Sequence, residues 1–264
     1  MHMIYADLHT AHNKPCNDSP TLCSRTSYLK PAMSATATAE PPQCGPEPSL
    51  NRPKHLKYWL RNIKTLLPAA YTSTDLSRLS LAFFSLSALD LLQELEACTT
   101  LQERTDWADW VYLCQLPTGG FRGSPATAGT GETWDVANLP ACYFALATLA
   151  VLRDDMKRVN WVGLAKFLTQ VQREDGGFGE WILKGGVAGD GGEVGGVERG
   201  ADLVMGGEDM RFMYCAMAVR WIMRGGAQGR RSLQGVKDVD VDMCESFIRD
   251  SAVGKLVGPT LRPP

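Results

Sequence analysis

The sequence predicts an all-α protein built from repeated pairs of helices. Apolar residues recur at three- and four-residue steps in seven segments, the spacing expected for one face of a helix. Nothing between these segments alternates apolar and polar residues as a half-buried strand does. One element, Gln115-Leu-Pro-Thr-Gly-Gly-Phe121, returns as Gln172-Arg-Glu-Asp-Gly-Gly-Phe178 with each matching residue at the same offset. Self-similarity at a fixed offset is the signature of a repeat architecture.

The chain begins with a segment that is expected to be disordered. Residues 1–53 lack hydrophobic periodicity and are rich in Pro, Ser, Thr and Ala, so they bury too little apolar area to offset the entropy of ordering. A start of translation at Met33 is an alternative interpretation of this leader. The 264-residue chain is 44% hydrophobic, which is enough for the remainder to fold around a core.

Seven helices are predicted within residues 54–249. The first opens near Leu56 and stops before Pro68, because proline cannot continue a helix. The second begins with Thr74 or Asp75 as its N-cap. The others are predicted over residues 103–115, 136–152, 160–172, 209–223 and 239–249.

Each copy of the repeated element is expected to reverse the chain between two helices. The glycine pair supplies positive φ, and the phenylalanine packs back between helices. Two unrelated helix ends are the alternative interpretation. A second glycine-rich stretch, residues 184–207, is predicted to be a flexible insertion, since it lacks both periodicity and the G-x-x-x-x-G-K-[ST] pattern of a phosphate-binding loop. After Arg249 the pattern gives way to a divergent tail, residues 250–264, and the chain is expected to be cut short.

Charge and hydropathy argue against several classes of partner. The 27 basic and 29 acidic side chains give a net charge of -2, which provides no broad cationic surface for a nucleic acid or an anionic lipid. No apolar stretch reaches the roughly 20 residues of a membrane span. The eight cysteines are scattered, and the amino terminus lacks the pattern of a signal peptide. These features predict a cytoplasmic protein.

Four motifs carry a resemblance to a known family. They are Arg78-Leu-Ser-Leu-Ala-Phe-Phe-Ser-Leu-Ser-Ala-Leu-Asp90, Gly119-Gly-Phe-Arg-Gly123, Asp154-Asp-Met-Lys-Arg-Val-Asn160 and Glu208-Asp-Met-Arg-Phe-Met-Tyr-Cys-Ala216. Over roughly residues 55–249 the chain resembles the β subunit of protein geranylgeranyltransferase type I. The resemblance implies an α/α toroid, a ring of helix pairs with one helix of each pair inside and one outside. Because a closed ring needs more helices than the seven predicted, the toroid is expected to be incomplete here.

The resemblance also implies a reaction and its partners. In this family a zinc-bound cysteine thiolate in the carboxyl-terminal CaaX motif of an acceptor protein attacks C1 of geranylgeranyl diphosphate and forms a thioether. Zinc lowers the pKa of the thiol, so the nucleophile exists at neutral pH. A helical α subunit is expected to complete a heterodimer. The alternatives are a type II (Rab) geranylgeranyltransferase β subunit, a farnesyltransferase β subunit, or a non-catalytic helical-repeat fragment.

The same resemblance assigns two residues to the far end of the isoprenoid. Ser80 and Phe84 stand where relatives border the last isoprene unit, and a small side chain there leaves room for a fourth unit. Ser80 therefore implies a 20-carbon lipid. The alternative is that Ser80 only bonds a backbone carbonyl one turn back.

Four further residues are assigned to the isoprenoid and peptide channel. Arg211, Tyr214 and Cys215 match residues that line it, and Asn138 stands where relatives often have a histidine near the end of the acceptor peptide. Asn138 can donate a hydrogen bond but cannot carry charge. The alternative is that Arg211 caps a neighbouring helix and Tyr214 belongs to the core.

No zinc ligand and no catalytic residue is assigned in this chain, which is expected to lack the part of the domain that carries the zinc and diphosphate chemistry. Relatives bind zinc through an Asp and a Cys two residues apart and a distant His, whereas no histidine here follows His55. Asp242 and Cys244 imitate the Asp-x-Cys pair, yet residues two apart on a helix diverge by about 200°. A second set of ligand-type residues in the leader is attributed to chance: His9, His12, Cys16 and Cys23.

Overall fold

The computed structural model of the protein describes residues 49–65, 69–130, 135–185, 202–207, 209–226 and 235–254. This part of the chain contains seven α-helices and none of them is long and apolar enough to cross a membrane. The helices are α1 (Arg52–Lys64), α2 (Arg78–Leu91), α3 (Leu101–Leu113), α4 (Leu139–Val151), α5 (Trp161–Gln170), α6 (Met210–Met223) and α7 (Val241–Gly254). Two 3-10 helices, Ala69–Ser77 and Pro125–Thr127, and two strands, β1 (Trp181–Leu183) and β2 (Leu203–Met205), complete the list. The predicted leader up to residue 48 and the tail beyond residue 254 lie outside the described residues.

Polar N-caps fix where six of the helices begin. The side chains that each accept a hydrogen bond from a backbone N–H in the first turn are Asn51, Thr100, Asn138, Asn160, Asp209 and Asp240. Such a bond satisfies a donor that has no partner inside the helix. The helix starts are therefore set locally by the sequence.

Helix α2 begins later than the sequence predicts. An N-cap at Thr74 or Asp75 is wrong, because the 3-10 helix Ala69–Ser77 continues past both residues and α2 starts after it. The backbone N–H of Leu79 donates to the carbonyl of Gly123 at 3.0 Å. The first turn of α2 is thus satisfied by the loop that follows α3, a long-range contact that local capping rules do not include.

The helices form two rows. Helix α2 packs against α4, and α4 packs against α6, so these three make an inner row. Helices α1, α3 and α5 pack against α2, α4 and α6, respectively, and make an outer row. Helix α4 lies at the centre, and Leu139, Ala145, Leu146 and Leu149 are fully buried there. The alternation of outer and inner helices along the chain is the plan of an α/α toroid, which confirms the predicted fold class.

The two copies of the Gln-x-x-x-Gly-Gly-Phe element make the same turn. In each copy the glutamine and the phenylalanine form an antiparallel bridge, and the phenylalanine is buried. The side-chain oxygen of Gln115 accepts from the backbone N–H of Asn160 at 2.7 Å, and that of Gln172 accepts from Asp240 at 2.8 Å. Asn160 and Asp240 cap α5 and α7. The repeated glutamine therefore ties each outer helix to the next one.

The first glycine of the Gly-Gly pair has no room for a side chain in either copy of the repeated element. Gly119 has a φ of +102°, and a Cβ added there would lie 2.1 Å from the backbone carbon of Gly163 at the start of α5. Gly176 has a φ of +85°, and its Cβ would lie 2.1 Å from the carbonyl oxygen of Met243 in α7. Close contact between turn and helix thus requires glycine in both copies.

Among the described residues, a short two-stranded ribbon interrupts the helical structure between α5 and α6. Strands β1 and β2 pair antiparallel, with Trp181 opposite Met205 and Leu183 opposite Leu203. The prediction that no strand lies between the helices is wrong here, because three-residue strands are too short to display alternation. Strand β2 belongs to the predicted insertion 184–207, whose residues 186–201 lie outside the described part of the chain.

Candidate functional site

Five aromatic rings lie side by side on the inner row, and we call this surface the aromatic wall. Its members are Phe83 and Phe84 of α2, Tyr143 and Phe144 of α4, and Tyr214 of α6. Neighbouring ring centroids are between 5.2 and 6.1 Å apart, with tilted or edge-to-face geometry. Phe84 is 52% and Tyr214 is 61% exposed. An exposed contiguous aromatic surface is typical of a binding site.

A hydrogen bond between two tyrosines links α4 to α6 within this wall. The hydroxyl oxygens of Tyr143 and Tyr214 are 3.0 Å apart. Burial, and then this hydrogen bond, raise the pKa of Tyr143 well above its ordinary value. The hydroxyl therefore stays neutral, and the wall presents ring faces with no charge on them, a surface suited to a hydrocarbon chain.

The two residues assigned to the isoprenoid end lie on α2. Ser80 is partly buried and precedes Phe84 by four residues, so the two lie one turn apart on the same side of the helix. The ring of Phe84 contacts Phe83 and Phe144. Ser80 and Phe84 thus stand at the α2 end of the aromatic wall.

Polar side chains gather where α4 and α6 begin, and we call this group the polar mouth: Asn138, Glu180, Asp209 and Arg211. The Asn138 side chain accepts from the N–H of Ala141 at 3.0 Å and donates to Glu180 Oε1 at 2.6 Å. Arg211 Nε donates to Asp209 Oδ2 at 2.7 Å, and this bond is the main reason that the pKa of Asp209 is lowered. The amino ends of both helices also favour anions.

Cys215 lies largely beneath the surface of the site. The residue is 7% exposed and lies in the core near Cys142 of α4. Burial raises the pKa of Cys215 to about 11 and that of Cys142 to about 12, so neither thiol is a nucleophile at neutral pH. At most an edge of Cys215 is available to a ligand.

The structure brings together most of the residues that the sequence singles out. Phe84 and Tyr214 belong to one wall, and Arg211 lies one turn before Tyr214 on α6. Asn138 is the N-cap of α4, and Arg211 is the second residue of the neighbouring inner helix α6. Both hydrogen-bonding ends of the Asn138 amide are already engaged, by α4 and by Glu180.

Five members of the site were assigned no role from the sequence: Phe83, Tyr143, Phe144, Glu180 and Asp209. One signal could have found Tyr143. Five residues separate the N-cap Asn138 from Tyr143, and the same interval separates the N-cap Asp209 from Tyr214. Aligning the inner helices on their caps would have placed the two tyrosines at one level of the wall.

The described residues do not fit the zinc ion that the family resemblance implies. No group of three or more His, Cys, Asp or Glu side chains in the described ranges is arranged to hold a metal. Cys244 is buried and lies 3.3 Å from the side-chain nitrogen of Gln172, whereas Asp242 is exposed. The two members of the Asp-x-Cys pair therefore point to different environments.

A cavity of about 750 Å³ lies beside α2. Residues of α1, α2 and α3 line it, among them Trp59, Trp107 and Trp110, and Phe84 borders both the cavity and the wall. The cavity is large enough for a small apolar ligand. The cavity is therefore a second candidate location for a lipid chain, and an experiment that locates the lipid must distinguish it from the aromatic wall.

Comparison with curated proteins finds relatives that include two geranylgeranyl transferase subunits and one farnesyltransferase subunit. The chain is 33% identical over 152 residues to geranylgeranyl transferase type-1 subunit beta of Dictyostelium discoideum, covering 48% of this chain and 42% of that protein. The same subunit of Arabidopsis thaliana is 28% identical over 200 residues, 69% of this chain and 46% of that protein. Protein farnesyltransferase subunit beta of Pyricularia oryzae is 26% identical over 262 residues, 96% of this chain and 40% of that protein. The chain spans less than half the length of these relatives.

Comparison with solved structures and with protein families agrees on the fold. The Candida albicans protein geranylgeranyltransferase-I complexed with GGPP aligns with a TM-score of 0.61 at 24% identity, over 77% of this chain and 52% of that chain. Residues 50–253 match the family described as the prenyltransferase alpha-alpha toroid domain. This match includes every α-helix of the described structure up to the last residue of α7. The chain belongs to the prenyltransferase alpha-alpha toroid family.

Proposed function

We propose that this chain forms part of the β subunit of a protein geranylgeranyltransferase type I. The observation that carries the proposal is the aromatic wall across three inner helices, with the small Ser80 at its α2 end. A chain of isoprene units buries apolar area against ring faces, which is favourable by about 25 cal/mol per Å². Ser80 leaves room for a fourth unit.

The polar mouth is proposed to face the diphosphate and the acceptor peptide. The amino ends of α4 and α6 and the Arg211 guanidinium stabilise negative charge. Arg211 is 87% exposed and is held by Asp209, so its second face is open to an anion. Asn138 contributes through Glu180, because both ends of its amide are engaged. Cys215, in the core, supports α6 and only borders the lipid.

An α subunit, CaaX-ending acceptor proteins and a cytoplasmic setting belong to the same proposal. Zinc, which the family resemblance implies, finds no ligand set in the described residues. Two of the relatives are named as type-1 beta subunits, which supports a partner subunit. A farnesyltransferase β subunit is the second candidate, because the Pyricularia oryzae relative aligns over 96% of this chain. Lipid length separates the two candidates.

Equilibrium dialysis with radiolabelled lipids tests the proposal. The chain, alone and co-expressed with a prenyltransferase α subunit, is titrated with geranylgeranyl diphosphate and with farnesyl diphosphate. We expect tighter binding of the 20-carbon lipid, by about tenfold for the added isoprene unit. Preference for the 15-carbon lipid would support the farnesyltransferase candidate, and binding of neither lipid would contradict both.

A further inference from the structure

Helix α1 concentrates positive charge in a chain that is otherwise slightly acidic. Its 13 residues, Arg52–Lys64, include five Lys or Arg side chains and no Asp or Glu. The whole protein carries a net charge of -2. The chain therefore carries a local cluster of positive charge, although its overall composition predicts no broad cationic surface.

Three of these cations share one face of the helix. Lys54, Lys57 and Arg61 follow one another at steps of three and four residues, so they lie within about 60° of each other and span about 10 Å along the axis. The opposite face, with Trp59 and Ile63, packs against the core. The three cations are exposed to solvent, and we call them the basic stripe.

Carboxylates engage the cations at the ends of α1 and leave the basic stripe without a counter-charge. Glu94 pairs with Arg52 at 3.0 Å, and Glu103 pairs with Lys64 at 2.8 Å. Within the described residues, no ion pair joins a carboxylate to a member of the basic stripe. Like charges on one helix face repel each other, so an anionic partner would relieve this repulsion. Its binding to the basic stripe would not require any existing ion pair to break.

The stripe has amphipathic neighbours. Tyr58 lies on its flank with 55% of its surface exposed, and Leu50 stands just before the helix with 65% exposed. Exposed aromatic and aliphatic side chains beside lysine and arginine are typical of surfaces that rest in the headgroup region of a membrane. An acidic protein would be complementary to the cations, whereas the interfacial layer of a membrane also accommodates an exposed tyrosine ring and an exposed leucine.

We propose that the basic stripe docks this protein on an anionic lipid surface. The three cations contact phosphate and carboxylate headgroups, while Tyr58 and Leu50 enter the interfacial layer. Because the apolar face of α1 is already packed, the protein adsorbs peripherally and does not insert a helix. The basic stripe and the aromatic wall share no residues, so this proposal can be tested independently of the proposed transferase function.

Vesicle co-sedimentation tests the proposal with the full chain and its leader. Phosphatidylcholine vesicles are compared with vesicles that also contain phosphatidylserine, in low and in high salt. Each Lys or Arg near an anionic surface contributes about fivefold in affinity. We therefore expect the triple variant Lys54→Gln, Lys57→Gln, Arg61→Gln to bind phosphatidylserine vesicles about a hundredfold more weakly, and high salt to weaken the parent protein in the same way.

A matched variant removes the same number of charges elsewhere. Lys166, Lys237 and Arg249 are exposed on other faces, and their change to Gln is expected to alter vesicle binding less than twofold. Circular dichroism checks that both variants keep their helices. Equal loss in the two variants, or equal binding of the parent to neutral and anionic vesicles, would overturn the proposal. Stripe-dependent binding to poly-L-glutamate but not to phosphatidylserine would assign the stripe to an acidic protein instead.

Discussion

Single side chains decide what the inner row can hold. The hydroxyls of Tyr143 and Tyr214 are 3.0 Å apart, so each satisfies the other within the aromatic wall. Sequence patterns could predict Phe84 and Tyr214, because both belong to motifs. Tyr143 could not be found by periodicity, since α4 is apolar on all sides and no polar face marks its orientation.

Replacing Ser80 tests the assignment of lipid length. The change Ser80→Trp places a bulky ring one turn before Phe84 and fills the space proposed for the fourth isoprene unit. We expect affinity for geranylgeranyl diphosphate to fall on the order of tenfold while affinity for farnesyl diphosphate changes less than about threefold. Ser80→Ala, which keeps the space, is the control and should leave both affinities unchanged. Equal loss of both lipids would show that Ser80 does not set length.

Alanine substitutions at two glycines distinguish the cost of backbone strain from the cost of a steric clash. Gly119 and Gly129 both have positive φ, but an added Cβ meets the Gly163 backbone at 2.1 Å in the first and nothing within 4 Å in the second. Gly129→Ala should lower the free energy of unfolding by about 1 kcal/mol, from backbone strain alone. Gly119→Ala should lower it by about 3 kcal/mol, because the turn must also move away from α5. Equal losses in urea titrations would contradict the close contact between the turn and α5.

At the level of elements, the repeated turn organises the outer row. The repeat was visible in the sequence because the glutamine, the glycine pair and the phenylalanine recur at one offset. The contacts of the repeated element could not be predicted from the sequence, because β1, β2 and α6 separate Gln172 from its partner Asp240 along the chain. The β1–β2 ribbon and the late start of α2 escaped prediction for the same reason: long-range hydrogen bonds place them, and local propensity is a weak guide there.

Removing the second repeated glutamine should loosen α7. The Gln172 side chain accepts from the N–H of Asp240 at 2.8 Å and donates to its carbonyl at 2.9 Å. Gln172→Ala breaks both bonds and should lower the free energy of unfolding by about 2 kcal/mol, with faster amide exchange of Met243 and Cys244. Gln102→Ala, an exposed glutamine of α3 bonded only to Asp106, is the control. Unchanged exchange in α7 would mean that packing alone holds this helix.

At the level of the whole molecule, the order of helices places the candidate site on the inner row. Outer helices α1, α3 and α5 cover one side of α2, α4 and α6, which leaves the aromatic wall and the polar mouth accessible. The predicted toroid plan followed from the repeat and from the family motifs. The cavity between α1, α2 and α3 did not, because its shape depends on how three separate helices pack.

Photo-crosslinking measures directly where the lipid lies. The protein is irradiated with a geranylgeranyl diphosphate analogue that carries a benzophenone near its last isoprene unit, and the labelled peptides are identified by mass spectrometry. We predict adducts on α2, α4 and α6, at the residues of the aromatic wall, that unlabelled geranylgeranyl diphosphate competes away. Adducts confined to Trp59, Trp107 and Trp110 of the cavity, or labelling that no unlabelled lipid displaces, would contradict the account.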